Sequence, residues 1–393
     1  MNATMDSPAI ANCIPCLEGR EKELVAQQIA DGWLAAGPCI QRFENAIGAF
    51  TGAPHAVAVI NGTAALQLAL VCAGVAPGDL VLLPSLTFAA SANAVRHCGA
   101  TPMFFDVEPV SWGIAVDQIA RYLQRDCATQ AGRLVDRASG ARIGAMMPVH
   151  LYGHPIDLDP LVELAERYGI PVVEDGAEAL GALYKDRRVG SLHRICCLSF
   201  NGNKIITSGN GGMILTSDAD FARRGRYLAS QARDDANEFV HGEVGYNYRL
   251  TNLNAALGLA QSEKLPEFLG RKRRIVERYA ARLGSVPGVG LWREAAWARS
   301  SYWMAILTVD ERRHPGAIAG LRRFLPTRGI EARPVWQPLH RQKPFAGTPH
   351  QPIEVAERLY RTGLCLPCSA GLSDVDLDRV ADTIEAFFAQ QPR

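Results

Sequence analysis

The chain has 393 residues, of which 48% are hydrophobic and 21% charged, and its formal net charge is +1. This length predicts two domains with sizeable cores. The balanced charge argues against nucleic-acid and membrane-surface binding, because both need a concentrated basic field. No apolar run approaches the roughly 20 residues that cross a bilayer, and the N-terminal sequence lacks the basic-then-apolar pattern of a secretory signal. We therefore expect a cytoplasmic protein with reduced cysteines.

Short apolar runs alternate with helical patterns through the first half of the chain. The runs HAVAVIN (55–61), LVLLP (80–84), TPMFFDV (101–107) and PVVED (171–175) predict strands. They are apolar throughout, which is typical of strands covered on both faces. Strands that alternate with helices indicate parallel βαβ units and an α/β fold.

The remaining segments suggest where the domains divide. A helix before the first strand is indicated by apolar residues at helical spacing: Ile40, Phe43, Ile47 and Phe50. The polar stretch 126–141 is predicted to lie at the surface. Long helical patterns run from about Thr251 to Leu283, and we place the domain change there. This predicts a large domain over 1–255, with an N-terminal helical segment, and a smaller C-terminal α/β domain over 256–393.

Four features lie where a parallel sheet would meet a ligand. The segment Asn61-Gly62-Thr63-Ala64 marks a turn from a strand into a helix, where free N–H groups bind anions. Asp175 ends a strand, at the carboxyl edge of the predicted sheet. Phe88 and Lys204 each follow a further strand. Each feature also has an ordinary interpretation, as a helix cap, a core aromatic residue or a solvated lysine.

Together, these features supply what pyridoxal phosphate (PLP) needs from a protein. They offer an anion cradle for the phosphate, a ring to stack on the pyridine, a carboxylate for the ring nitrogen and an amine for a Schiff base. Their order in the chain, with Ser199 shortly before Lys204, is the layout of fold-type-I PLP enzymes.

Several longer segments carry a family resemblance: FEN, NGTAAL, PSLTFAASANAV, GATPMFFDV, PVHLYGHP, VVEDGAEALGA, SFNGNK, GGM and GYNYRLTNLNAALGLAQ. With them the chain resembles the DegT/DnrJ/StrS family of sugar-nucleotide aminotransferases from Gly32-Trp33 to the Leu366-Pro367 region. The resemblance implies the aspartate-aminotransferase fold, whose large domain has a mixed, mostly parallel, seven-stranded sheet.

The resemblance also implies roles for individual residues. Lys204 would carry PLP and move protons, and Asp175 would meet the ring nitrogen. The other implied cofactor contacts are Gly62, Thr63, Ala64 and Ser199 at the phosphate, Phe88 on the ring and Glu178 near the ring hydroxyl. Pyridoxamine phosphate is the expected intermediate form of the cofactor, and no metal is expected.

A homodimer with shared active sites is a further implication. Asn247, in GYNYR, should reach the phosphate from the second subunit. Arg249, Arg333 and His340 are candidate contacts to the nucleotide-linked keto sugar. L-Glutamate is the expected amino donor and 2-oxoglutarate the product.

The substrate prediction rests on SFNGNKIITSGNGGM, residues 230–233 and GYNYRLTN. These are most similar to the branch that aminates C4 of a UDP-linked 4-keto-6-deoxy-N-acetylhexosamine, on routes to bacillosamine- or legionaminic-type surface glycans. The alternative is a GDP- or dTDP-linked keto sugar, or amination at C3. The chain departs from the common family pattern in three places: Asn61 replaces Ser, Glu178 stands where many members have Gln, and Ala35-Ala36 stand where Ser or Thr is frequent.

Other classes of protein are less consistent with the sequence. The pairs Cys13/Cys16 and Cys365/Cys368 allow a zinc module, but they lie at opposite ends of the chain around prolines, so we expect inert thiols. A DNA-binding regulator would need a basic recognition helix. A Rossmann enzyme would need GxGxxG after the first strand, and none is present.

Overall fold

The computed structural model describes residues 9–235 and 237–390. Over these residues the α-helices are α1 (Glu21–Ala30), α2 (Pro38–Thr51), α3 (Gly62–Cys72), α4 (Ala89–His97), α5 (Val116–Asp126), α6 (Asp159–Tyr168), α7 (Ala219–Ala229), α8 (Asn252–Glu263), α9 (Leu265–Leu283), α10 (Ala317–Phe324), α11 (Val355–Thr362) and α12 (Asp374–Ala389). Short 3-10 turns lie at Leu151–Gly153, Leu325–Arg328, Leu339–Arg341 and Lys343–Phe345.

The strands of the same residues are short, most of them two to five residues long. They are β1 (His55–Val59), β2 (Leu80–Pro84), β3 (Thr101–Phe105), β4 (Cys127–Gln130), β5 (Arg133–Asp136), β6 (Ile143–Met146), β7 (Glu174–Asp175), β8 (Leu183–Tyr184), β9 (Arg187–Arg188), β10 (Ile195–Ser199), β11 (Gly212–Thr216), β12 (Val289–Leu291), β13 (Ala298–Arg299), β14 (Ala305–Val309), β15 (Arg333–Pro334) and β16 (Gly363–Leu366).

Seven of these strands form the main sheet, in the order β1-β11-β10-β7-β6-β2-β3. Backbone hydrogen bonds join β7 to β6, with the Val173 N–H donating to the Met146 carbonyl at 3.0 Å and the Asp175 N–H to the Pro148 carbonyl at 2.8 Å. Only β11 runs antiparallel to its neighbours in this sheet, and the other pairs are parallel. The predicted α/β fold with a mixed, mostly parallel, seven-stranded sheet is confirmed.

The uniformly apolar strands bury both faces of the sheet. In β2, Val81 and Leu83 pack into the cluster formed with α3, α4 and α7, whereas Leu80 and Leu82 pack into the opposite cluster. The second cluster contains Phe43 and Ile47 of α2 together with residues of α5, α6 and α8. Successive side chains of a strand point to opposite faces, so a sheet covered on both sides needs an apolar residue at each position.

A second domain follows at the C-terminal end. Its antiparallel sheet has the order β12-β14-β16-β15 and shares a core with α9, α10 and α12. Ile10 from the N-terminal segment also joins this core. Residues of α8 pack instead into the large core, and the change from one cluster to the other occurs within α9, between Phe268 and Ile275. The division at 255/256 stays a proposal, and packing favours a boundary inside α9.

The polar stretch 126–141 contains a β-hairpin that composition alone did not predict. Its strands, β4 and β5, pair in antiparallel register from Cys127 opposite Asp136 to Gln130 opposite Arg133. The tip of the hairpin, residues 129–133, is exposed, as expected for a surface segment, whereas Cys127, Val135 and Asp136 are buried. Within the described ranges, no helix combines the length and apolar character needed to span a membrane.

The parallel strands place the functional side chains together. The carboxyl ends of β1, β2, β7 and β10 lie on one edge of the main sheet, since these strands run in the same direction. This edge is where open α/β sheets bind their ligands.

Candidate active site

A cavity of about 280 Å³ opens at this edge of the sheet. Its wall comes from five separate parts of the chain, and Lys204 and Asp175 both contribute to it. Of the remaining predicted cofactor contacts, those that line it are Gly62, Thr63, Phe88, Glu178 and Ser199. Residues far apart in the sequence thus meet at one cavity, as the order of the strands predicted.

Asp175 is a buried carboxylate with a defined orientation. The Ser91 hydroxyl donates to its Oδ2 at 2.7 Å, and the Ala177 N–H donates to its Oδ1 at 3.1 Å. Thr87 in turn contacts the Ser91 hydroxyl at 2.9 Å. Burial raises the pKa of Asp175, and the two hydrogen bonds oppose that shift. A cationic partner in the cavity would therefore stabilise the ionised carboxylate.

Lys204 lies between an anion and an aromatic face. Its Nζ is 3.6 Å from Oε1 of Glu178 and 4.1 Å from the centroid of the Trp303 ring. The other oxygen of Glu178 accepts the Tyr152 N–H at 2.7 Å. Burial raises the pKa of Glu178 from 4.5 to about 6, although the nearby Lys204 acts in the opposite direction.

The N-terminus of α3 forms one end of the cavity. Asn61 caps the helix, because its side-chain oxygen accepts the Ala64 N–H at 2.8 Å. Gly62 packs directly against Ser199, and a Cβ at this glycine would fall 2.8 Å from the Ser199 Cβ. The absence of a side chain thus lets the helix terminus approach β10. Ala64 itself is buried, and its N–H can reach an anion only when Asn61 releases it.

Phe88 supplies the aromatic part of the wall. It precedes α4 as the N-cap residue, and its ring is 52% exposed, which is unusual for a phenylalanine in this protein. The ring centroid lies 5.2 Å from that of Trp336. An open aromatic face beside a cavity is available to stack on a planar ligand.

The donor set of this cavity fits PLP. An amine, a buried carboxylate, a helix N-terminus and an open aromatic face all border one space. These groups match the aldehyde, the ring nitrogen, the phosphate and the ring of the cofactor, respectively. Comparison with known proteins identifies the family: the model of the DegT/DnrJ/EryC1/StrS aminotransferase family matches residues 15–385.

The chain belongs to this family. GDP-perosamine synthase of Caulobacter vibrioides is 39% identical over 97% of this chain and 98% of the relative. GDP-perosamine synthase of Escherichia coli O157:H7 is 36% identical over 96% of this chain and 98% of the relative. Among solved structures, S. venezuelae DesV, in complex with a ketimine intermediate, has a TM-score of 0.85 and 30% identity, and the match covers 98% of this chain and 100% of DesV.

These comparisons confirm a PLP-dependent sugar-nucleotide aminotransferase, and for the substrate they favour the alternative prediction over the main one. The expected branch, which acts on a UDP-linked acetamido sugar, is not the one that these relatives represent. The alternative of a GDP- or dTDP-linked keto sugar agrees better with them. Part of the segment 199–213, on which the UDP prediction rested, lines the cavity, namely Ser199, Asn201, Lys204 and Asn210.

Five predicted contacts of the aminotransferase do not line the cavity within the described part of a single chain: Ala64, Asn247, Arg249, Arg333 and His340. Asn247 and Arg249 are exposed. Asn247 forms an isolated β-bridge with Ser230, and Arg249 forms one with Val59. Arg333 is exposed and forms an ion pair with Glu331. His340 is partly buried and forms hydrogen bonds within the chain.

His340 connects two parts of the fold. Its Nδ1 lies 2.7 Å from the Ser85 hydroxyl, and its Nε2 lies 3.2 Å from Oε1 of Glu357. Burial lowers the pKa of His340, while Glu357 acts in the opposite direction. The residue therefore ties the 3-10 turn at Leu339–Arg341 to the end of β2, and its predicted substrate contact stays a prediction.

The structure adds residues that the sequence did not single out. Ser91 orients Asp175, and Trp303 and Tyr152 border Lys204 and Glu178. Ser91 lies four residues after Thr87, in the segment PSLTFAASANAV that the family shares. This shared segment is the sequence feature that could have indicated Ser91. Trp303 lies about a hundred residues from Lys204, and no local pattern connects the two.

One cysteine of each CxxC pair, Cys13 and Cys368, lies beside Lys272. Lys272 lies 4.0 Å from the sulfur of Cys13 and 4.0 Å from that of Cys368. All ten cysteines are free thiols. In the described ranges, no group of three or more His, Cys, Asp and Glu side chains is arranged to hold a metal ion.

Proposed function

We propose that this aminotransferase moves an amino group from L-glutamate to C4 of a GDP-linked 4-keto-6-deoxy sugar. The observation that carries the proposal is the Lys204 amine in the cavity that it shares with Asp175. The names of two relatives, both GDP-perosamine synthases, support GDP as the nucleotide. Cytoplasmic synthesis of a surface glycan is the role that we infer for such a product.

The residues of the cavity have separate roles in binding the cofactor and in the chemistry. When bound, PLP supplies an electrophilic carbonyl and a ring that accepts electron density from the reacting carbon. Lys204 provides the amine that attaches it. Asp175, held by Ser91 and the Ala177 N–H, provides the negative charge that keeps a proton on the ring nitrogen. Phe88 offers its open face to the ring.

Proton movement falls to Lys204. Once L-glutamate has displaced Lys204 from the cofactor, the free amine would remove the proton from the α-carbon of glutamate and deliver it to the former aldehyde carbon of the cofactor, two bonds away. In the second half of the cycle, the same amine works in reverse and delivers a proton to C4 of the sugar. Glu178, 3.6 Å from Nζ, stabilises the amine whenever it is protonated.

Phosphate binding involves the α3 terminus and, we propose, a second subunit. The N–H groups at Gly62 and Thr63 and the Ser199 hydroxyl border the same end of the cavity. Asn247 is exposed on a single chain and does not line its own cavity. A homodimer in which Asn247 completes the partner's phosphate site accounts for both facts.

A panel of keto-sugar nucleotides tests the substrate. The purified enzyme, supplied with L-glutamate, is offered 4-keto-6-deoxy sugars linked to GDP, dTDP and UDP, and amino-sugar formation is measured by mass spectrometry. We expect turnover to be fastest with the GDP-linked sugar. Faster turnover with the UDP-linked acetamido sugar or with the dTDP-linked sugar would contradict the GDP assignment while leaving the aminotransferase intact.

The two half-reactions test the mechanism separately from the substrate. L-Glutamate alone, without any sugar, should release one 2-oxoglutarate for each active site. The Lys204→Ala variant is the matched control and should release no 2-oxoglutarate. An enzyme that releases 2-oxoglutarate only after a sugar is added would contradict the proposed order of steps.

A further inference from the structure

The loop before β11 reaches the active-site edge of the main sheet because of the direction of that strand. β11 lies between β1 and β10 and runs antiparallel to both. Its first residue, Gly212, pairs with Val59 at the end of β1 and with Ser199 at the end of β10. The residues just before Gly212 therefore lie at the carboxyl edge of the parallel strands, between the segments that follow β1 and β10.

This loop packs closely against the N-terminus of α3. A Cβ at Gly212 would overlap the Asn61 carbonyl and would fall 2.8 Å from the Gly62 nitrogen, so only a glycine allows the backbone to come this near. Asn210 lies two residues before Gly212 and lines the same cavity as Gly62 and Ser199. The loop thus adjoins the end of the cavity where free N–H groups favour an anion.

Hydrogen bonds hold the backbone around Asn210. The Asn210 carbonyl accepts the Ser208 hydroxyl at 3.1 Å. The Gly211 carbonyl accepts the Phe200 N–H at 2.8 Å, and the Ser208 N–H donates to the Phe200 carbonyl at 3.0 Å. A loop whose backbone is held in this way presents its side chain at a defined place in the cavity wall.

The Asn210 side chain is exposed and has no hydrogen-bond partner among the residues that the structure describes. Its amide carries two N–H donors. Lys204 is the one cationic side chain that lines the cavity in the described ranges. An anion at the α3 terminus is therefore held, from this chain, by neutral donors, and Asn61 already occupies one of these, the Ala64 N–H.

We propose that the side-chain amide of Asn210 donates a hydrogen bond to the phosphate of the cofactor. It supplements the groups that border the same end of the cavity, and it offers a donor where Asn61 occupies the Ala64 N–H. A hydrogen bond to an ionised acceptor is stronger than one between neutral groups. The inference rests on the proposed function, because it takes PLP as the ligand of this cavity.

Binding of PLP and of pyridoxal to the cofactor-free, full-length protein tests this role. Both ligands form a Schiff base with an amine, but only PLP carries the phosphate. The dissociation constant of each ligand is measured from the absorbance of the Schiff base for the wild type, Asn210→Ala and Asn210→Asp. Asn203→Ala is the matched control, since Asn203 lies in the neighbouring turn and does not line the cavity.

Loss of the amide should weaken the binding of PLP selectively. In Asn210→Ala, we expect the Kd of PLP to rise about tenfold and that of pyridoxal to change by less than about twofold. Asn210→Asp should weaken PLP further, because a carboxylate repels the phosphate, and it decides the question if the alanine variant does not fold. The control should keep the wild-type ratio of the two constants.

Two results would overturn the proposal. One is a ratio of the PLP and pyridoxal constants that stays at the wild-type value in the Asn210 variants. The other is equal weakening of both ligands, because that result describes damage to the cavity and not the loss of a phosphate contact. If the wild type forms no Schiff base with PLP, the proposed function fails as well. If the wild type does form it and the ratio does not change, only the role of Asn210 fails.

Discussion

The Lys204 amine and the Glu178 carboxylate lie 3.6 Å apart in a site where Glu178 is only 5% exposed. Burial disfavours the ionised carboxyl, whereas the amine favours it, and the first effect is larger, since the pKa of Glu178 rises to about 6. The carboxyl therefore changes its charge near the pH at which many enzymes operate. Because of this pair, the stability of the cofactor-free protein should depend on pH.

Glu178→Gln should remove this pH dependence. A carboxyl whose pKa is higher in the folded than in the unfolded state contributes stability below about pH 4.5, and the contribution is lost as the pH rises through about 6. We expect the stability of the wild type to fall by about 2 kcal/mol relative to Glu178→Gln across this range. Urea unfolding of both cofactor-free proteins at several pH values measures it. A constant difference between the two would contradict the prediction.

Asp175→Asn should impair activity through charge, because the amide keeps the size of the side chain. Loss of the anion at the ring nitrogen should reduce kcat by about two orders of magnitude or more. Ser91→Ala keeps the carboxylate and removes one hydrogen bond to it, so we expect a loss of about tenfold. Steady-state kinetics on folded variants compare the two. A near-normal rate in Asp175→Asn would mean that Asp175 acts only as a structural acceptor.

Asn61→Ala should have different effects on the cofactor-free and cofactor-bound protein. Without the cofactor, loss of the helix cap at Ala64 should cost about 1 kcal/mol. With PLP bound, the phosphate can accept the released N–H, so the difference in stability between variant and wild type should shrink. Thermal unfolding with and without PLP measures both differences. Equal destabilisation in the two states would show that the phosphate does not use this N–H.

Mixed dimers test whether Asn247 serves the partner's site. Lys204→Ala and Asn247→Ala should each be inactive or nearly so as homodimers. A heterodimer of the two would contain one site with both native residues, so activity should return to as much as about half of the wild-type value per heterodimer, a ratio that follows from counting sites. Co-expression with two affinity tags isolates the heterodimer. If it stays inactive, the cross-subunit role of Asn247 is wrong.

Much of the fold could be predicted because the buried strands are visible in the sequence as short apolar runs. Leu80, Val81, Leu82 and Leu83 are all apolar, and the two faces of the sheet bury them alternately. The same logic placed Asp175 and Lys204 at one edge, since both follow strands that prove to be parallel neighbours. The hairpin from Cys127 to Asp136 was missed, because its polar residues are typical of a loop.

Tertiary contacts explain what the sequence left unpredicted at the site. Trp303 reaches Lys204 only because the small domain packs against the turn at Asn203. The Asn61 side chain accepts a hydrogen bond from the Ala64 N–H, which the family pattern assigns to the phosphate. Only the side-chain geometry reveals that Asn61 and the phosphate would compete for this donor. The sugar and nucleotide could not be read from the segment 199–213, because Ser199, Asn201, Lys204 and Asn210 of that segment line the cavity that also holds Asp175.

Borohydride reduction of the purified enzyme with PLP tests the central claim most directly. The reagent fixes the cofactor irreversibly to the lysine that carries it, and peptide mass spectrometry then identifies that lysine. The account predicts a single labelled position, Lys204, and no label at that peptide in the folded Lys204→Ala variant. Label on a different lysine, or a wild-type protein that takes up no label, would contradict it.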